Sequence, residues 1–122
     1  MIENREEQKE ALETLMGFNV RLINNMKLIV KELSGKRKED TDAFLNDIVQ
    51  ALNWEIQVVN GTMELLNEGK KRIDKEAFNT KIAALGAVIA AKEDGAMAKQ
   101  FEEVIPVFED LEKAAEEVTK QG

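Results

Sequence analysis

The sequence predicts an all-α protein: an antiparallel up-down-up-down four-helix bundle with a short third helix and a fourth helix kinked at Pro106. Apolar residues recur at steps of three and four along four successive segments. The connections between them are short, and no stretch alternates with the period of a strand. Composition agrees, because aromatics make up 5% of the chain and proline occurs once. Hydrophobic residues at 43% and charged residues at 34% describe a globular chain. The 122 residues read as one helical-bundle domain, 1–122, long enough to bury a core without metal or disulfide support.

In the first segment Leu12, Met16, Asn19, Ile23, Met26, Val30 and Leu33 form one seam, widened by Leu15, Leu22 and Ile29. Asn4, with Glu7 three residues later, is a capping pair, and Ser34-Gly35 is the stop, giving a helix of about 30 residues and about 45 Å. The second seam is Leu45, Val49, Leu52, Ile56, Val59, Met63 and Leu66. Asp40 or Thr41 opens it and Gly69 closes it, so one helix of about 28 residues is expected. Phe44, Ile48 and Val58 widen this stripe beyond the two positions per heptad of a two-stranded coiled coil, which favours a bundle.

Asp74 is the N-cap of the third helix, with Ile73 and Phe78 as a hydrophobic staple. Its seam of Phe78, Ile82, Leu85 and Ile89 is thinned by alanines that permit close helix approach, and it ends near Lys92 to Gly95 after about 18 residues or about 27 Å. In the fourth segment Met97, Phe101, Val104, Phe108, Leu111, Ala115 and Val118 keep their rhythm through Pro106, which lies off the seam. One helix from about Ala96 to Lys120, bent near Phe101 to Glu103, follows from that phase.

A third helix about ten residues shorter than the second leaves a gap of about 15 Å at the end holding the first loop. There the last turns of helix one and the first turns of helix two lack cover, and an uncovered apolar patch marks a partner site. The candidate interface comprises Val30, Leu33, Phe44, Leu45 and Ile48, with Asn46, Asn53 and Trp54 of the second helix. Asn46, Asn53, Asn60 and Asn67 recur every seven residues as a polar ridge, able to bond a partner helix or simply to border the core. Asn19, alone among apolar seam residues, is the kind of single buried amide that fixes register or oligomeric state, and one of those asparagines is a candidate partner. Trp54, off the main seam, either packs at the bundle edge or anchors an interface.

Chemistry is sparse. The chain has no histidine, cysteine or tyrosine, and Ser34 in a predicted loop is its one serine, so no metal-binding histidine set or nucleophile triad can be assembled. The four apolar seams are free of charged residues, which leaves no carboxylate or lysine where burial would tune it for catalysis. Glycines are dispersed rather than gathered into a phosphate loop, and Asp94-Gly95 reads as a turn without calcium ligands. No enzyme activity, cofactor or metal is expected.

A net charge of −7 argues against a nucleic-acid partner. The basic clusters Lys36-Arg37-Lys38 and Lys70-Lys71-Arg72 each follow a predicted helix end, where cations meet the helix dipole. No apolar run is long enough for a membrane span, and the acidic N-terminus has no secretory character, so a cytoplasmic location is expected.

From Ile82 to Glu116, a Glu93-Asp94-Gly95 turn leads into a helix of alternating acidic and apolar residues around Glu103-x-x-Pro106. This stretch resembles small uncharacterised helical proteins of Firmicutes, some of them similar in size and helicity to flagellar export chaperones. The resemblance implies a cytoplasmic bundle that holds a protein subunit, and transfers no site residue. The expected function is a non-enzymatic protein–protein interaction module, binding a partner or itself; the alternative is a bundle that holds a small apolar ligand among its methionines and alanines.

Overall fold

The computed structural model describes residues 4–120, which form five helices and no strand. They are α1 (Arg5–Leu33), α2 (Thr41–Gly61), α3 (Met63–Leu66), α4 (Lys75–Ala91) and α5 (Asp94–Lys120). α1 packs along both α5 and α2, α4 packs on α5, and α3 touches α1, α2 and α5.

α1 begins as its sequence requires. Asn4 Oδ1 accepts the Glu7 backbone N–H at 2.8 Å while Asn4 Nδ2 donates to Glu7 Oε1 at 2.7 Å. It ends at Ser34, followed by Gly35 at φ 107°, a left-handed conformation that favours glycine. Its buried stripe runs through Leu12, Leu15, Asn19, Leu22, Met26, Ile29 and Leu33, whereas Met16 and Val30 are only half-buried. Two neighbours, α2 and α5, divide this helix between them, and a divided helix buries a wider stripe than a single seam.

The second segment is two helices rather than one. Thr62 is buried, its hydroxyl donates back to the Val58 carbonyl at 2.7 Å, and its own N–H reaches Val59 O at 3.2 Å, a tightened turn in place of the α pattern. Gly61, a poor helix former, precedes the break. α3 then contributes Leu65 and Leu66 to the core.

The length mismatch is absorbed at this end and not at the end holding the first loop. Gln8 Oε1 accepts the Leu65 N–H at 3.1 Å, Arg5 pairs with Glu68 at 3.0 Å, and Lys70 pairs with Glu117 at 3.0 Å. α3 and the following loop thus lie over the start of α1 and the end of α5. Asn67 holds that loop, accepting from Arg72 N at 2.8 Å and Ile73 N at 2.9 Å and donating to Ile73 O at 3.1 Å. At the opposite end Arg37 joins Asp94 at 2.6 Å to Asp42 at 2.9 Å, tying the start of α5 to the first loop. At that end Met26, Ile29, Leu33 and Ile48 are core residues, Val30, Phe44, Leu45 and Val49 are half-buried, and Leu28 remains 49% exposed, so the end is covered in part.

α4 is capped by Asp74, which accepts the Ala77 N–H at 3.0 Å, and the staple residues Ile73 and Phe78 are both buried. With 17 residues it has nearly the expected length. Its alanine face, however, turns to solvent: Ala83, Gly86, Ala87 and Ala90 are exposed, because α4 packs mainly on α5, through Phe78, Ile82, Leu85 and Ile89.

All seven predicted seam residues of α5 are buried, and Phe108 meets Phe78 at 5.7 Å between ring centroids. Pro106 sits inside the helix on its exposed side. Its missing N–H leaves the carbonyl of the exposed Glu102 for solvent. No described helix is long and apolar enough to cross a membrane.

Replacing Pro106 with alanine restores the hydrogen bond to Glu102 without touching the core. The expected outcome in thermal unfolding followed by circular dichroism is a gain of about 1–3 kcal/mol. A lowered midpoint would assign the ring a packing role.

Candidate binding pocket between helices one and two

Residues three and four apart share a helix face. On α1 this brings Phe18, Arg21, Leu22 and Asn25 together, and on α2 Asp47, Ile48, Ala51, Trp54 and Glu55. The two faces enclose a pocket of about 430 Å³. Phe18 and Trp54 stand at its mouth in edge-to-face contact, with centroids 5.5 Å apart, and remain 50% and 39% exposed. The Arg21 guanidinium lies 5.7 Å from the Phe18 ring. Two large aromatics held together in water are an unusual expenditure of apolar surface, and such patches mark binding sites.

Glu55 forms the inner wall of this pocket. It is 1% exposed, and neither carboxyl oxygen has a hydrogen-bond partner. Burial, with a further contribution from the Glu112 charge, pushes its pKa up to about 8, so the fold holds it chiefly as the neutral acid at pH 7. Glu112 also accepts from Asn19 Nδ2 at 3.0 Å, and the same amide donates to the Phe108 carbonyl at 3.0 Å. Asn19 Oδ1 is left without a donor. α1 and α2 therefore each bring a buried polar group, Asn19 and Glu55, into the apolar core, and α5 brings the half-buried Glu112 to its edge.

Two expectations are corrected here. The seams are not free of charge, since Glu55 is fully buried on α2, and Asn19 bonds to α5 rather than to an asparagine of the second helix. The signal for Glu55 lies in the spacing. Ile48, Leu52, Glu55, Val59, Thr62 and Leu66 follow steps of four and three without a break, and all are buried. A count of apolar residues passes over this line and selects Ile56, one position away and only half-buried.

The predicted interface residues divide. Trp54 and Ile48 line the α1–α2 pocket, although Ile48 and Leu33 are core residues at 2% exposure and offer little surface. Leu45 and Asn46 line a second cavity of about 550 Å³, together with Val49, Ile89 and Met97, between α2, α4 and the start of α5. Val30 and Phe44 are half-buried against the core and Asn53 is exposed. Of the asparagine ridge, Asn60 bonds Asn79 of α4 at 3.3 Å and Asn67 holds its loop, so those two have structural partners. Phe18 belongs to no predicted seam. Of the basic clusters, Arg72 does meet helix-end carbonyls, at Leu66 and Glu68, whereas Arg37 pairs with carboxylates. Among the described residues no group of three or more acidic, cysteine or histidine side chains is arranged to hold a metal ion.

Fold and pocket together define an all-α domain with a buried carboxyl group beneath an exposed aromatic pair. The chain belongs to the family described as a domain of unknown function, DUF8042, whose model matches residues 10–114. No curated protein and no solved structure matches it.

The raised pKa of Glu55 has a definite effect on stability. An unfolded chain ionises this carboxyl near the ordinary glutamate value of 4.5 whereas the fold keeps it protonated to about 8, so its ionisation opposes folding increasingly across that interval. Glu68 and Asp94 act in the opposite sense at lower pH. Hydrogen bonds from Arg5 and Arg37 depress their pKa values, and the stability they contribute is lost as they protonate in acid. Glu55→Gln is expected to gain about 1–3 kcal/mol over the wild type at pH 8 and much less at pH 5, measured by urea unfolding. The same gain at both values would show that Glu55 is not the titrating group.

Proposed function

We propose that the protein is a non-enzymatic interaction module, resident in the cytoplasm, that holds a protein partner at the α1–α2 pocket. Export-chaperone-like holding of a subunit is one concrete form. In this reading α3 continues α2, and the chain is an up-down-up-down four-helix bundle whose first two helices present the working face. The observation that carries the proposal is the Phe18–Trp54 pair, half-exposed over an apolar pocket. Tryptophan is prominent among the residues that dominate binding energy at interfaces, and a groove between two helices suits an inserted apolar side chain or helix face. The absence of histidine and cysteine, with the buried carboxyl closed to water, speaks against hydrolytic or nucleophilic chemistry.

A small apolar ligand is the second reading. It draws support from the pocket itself, whose roughly 430 Å³ falls within the size range of small-molecule sites.

The test is co-purification from the native cell with wild-type protein, Trp54→Ala and Phe18→Ala. Both side chains are exposed, so the fold should survive, as circular dichroism would verify. A protein retained by the wild type should be lost by about tenfold or more from either variant, the effect of removing an interface anchor worth about 2 kcal/mol. Equal retention by all three would overturn the proposal. A small molecule found by native mass spectrometry in place of a protein would favour the second reading.

A further inference from the structure

Glu55 is out of balance in the free protein. A carboxyl group with no donor to either oxygen is costly to bury, and nothing within the described residues satisfies it. It also lines the cavity beneath the exposed aromatics, and its carboxyl oxygens are covered in the free protein, so an occupant pairs with it only once that cavity widens. We infer that the α1–α2 pocket recognises a primary alkylammonium group, the end of a lysine side chain on the protein partner, with Glu55 as counter-ion and Phe18 and Trp54 flanking the alkyl stem. This rests on the proposal that the pocket is the working surface.

The chemistry of the walls selects this occupant. An ammonium supplies three N–H donors to a carboxylate that has none, and its methylenes match the apolar lining formed by Leu22, Ile48 and Ala51. Aromatic faces attract a cation through their quadrupole, as Arg21 over Phe18 already shows at the rim. An anion would face Glu55 and Asp47 with only Arg21 to favour it, and an overall charge of −7 draws cations toward the surface. Entry of the ammonium transfers the Glu55 proton to solvent and leaves an ion pair. The charged groups around that event are Arg21 from α1, Asp47 from α2 and Glu112 from α5.

The experiment uses the full chain and reads the fluorescence of Trp54, its single tryptophan. The probes are n-hexylammonium chloride, hexan-1-ol and sodium hexanoate, which share a stem and differ in charge. Hexylammonium should bind saturably, about tenfold or more tighter than the other two, and should tighten between pH 6 and pH 8 as Glu55 gives up its proton. Glu55→Gln, which keeps the shape of the side chain, should reduce hexylammonium to the level of the alcohol. Hexylammonium should also displace the partner retained in the co-purification. If the alcohol binds as well as the amine, the pocket stands and the ammonium assignment falls. If no probe binds, the assignment falls and the Trp54→Ala co-purification alone decides the docking surface. Failure to displace the partner would overturn the lysine assignment.

Discussion

The docking of α1 against α5 governs the rest of the molecule. α1 packs along both α5 and α2, and the seven seam residues of α5 are buried largely because α1 and α4 lie along them. An apolar seam alone would tolerate a slide of one turn, since leucine and isoleucine fit each other's places. The Asn19 amide does not tolerate it: its two donors fall on the Phe108 carbonyl and Glu112 in the observed register, and a slide would bury them unpaired. Gln8, buried and bonded to Leu65 N, sets the position of α3 on α1 in the same way. Two amides in apolar surroundings thus set where the helices stop sliding.

Much of this was legible in the sequence where a rule is local and strong. The capping pair Asn4 and Glu7, the Asp74 cap with its Ile73–Phe78 staple, and the phase of α5 through Pro106 each follow from spacing and hydrogen-bond demand within a few residues. What was not legible depended on partners far along the chain or on one polar side chain outvoting its neighbours. The α2–α3 break comes from the Thr62 hydroxyl bonding Val58 O, a choice available at any helical threonine and made here where Gly61 weakens the turn. Glu55 was hidden because periodicity counts apolar residues, and Ile56 beside it offered a more conventional seam. Phe18 escaped notice for the opposite reason: it belongs to no seam, and its place beside Trp54 exists only once α1 and α2 have packed.

α2 emerges as the least enclosed of the long helices. It rests mainly on α1, and a cavity lies on each flank, one beneath Trp54 and one beside Leu45 and Asn46. α4 contributes little shelter, since its small residues face water and its fully buried side chains are Phe78 and Leu85. A helix held chiefly along one side can shift without dismantling α1 and α5, which gives the pocket room to adapt to an occupant.

The contact from Asn19 to Phe108 spans 89 positions of chain, and this has a consequence for how the protein comes to be. Contacts of high sequence separation form slowly, because the intervening loop must close before they reward it. During synthesis α1 leaves the ribosome well before α5, yet much of its apolar stripe has no cover until α5 is complete. Until α5 has been made the nascent chain therefore exposes much of the stripe that carries Leu12, Leu15 and Met26, and the core closes only when α5 is available to cover it.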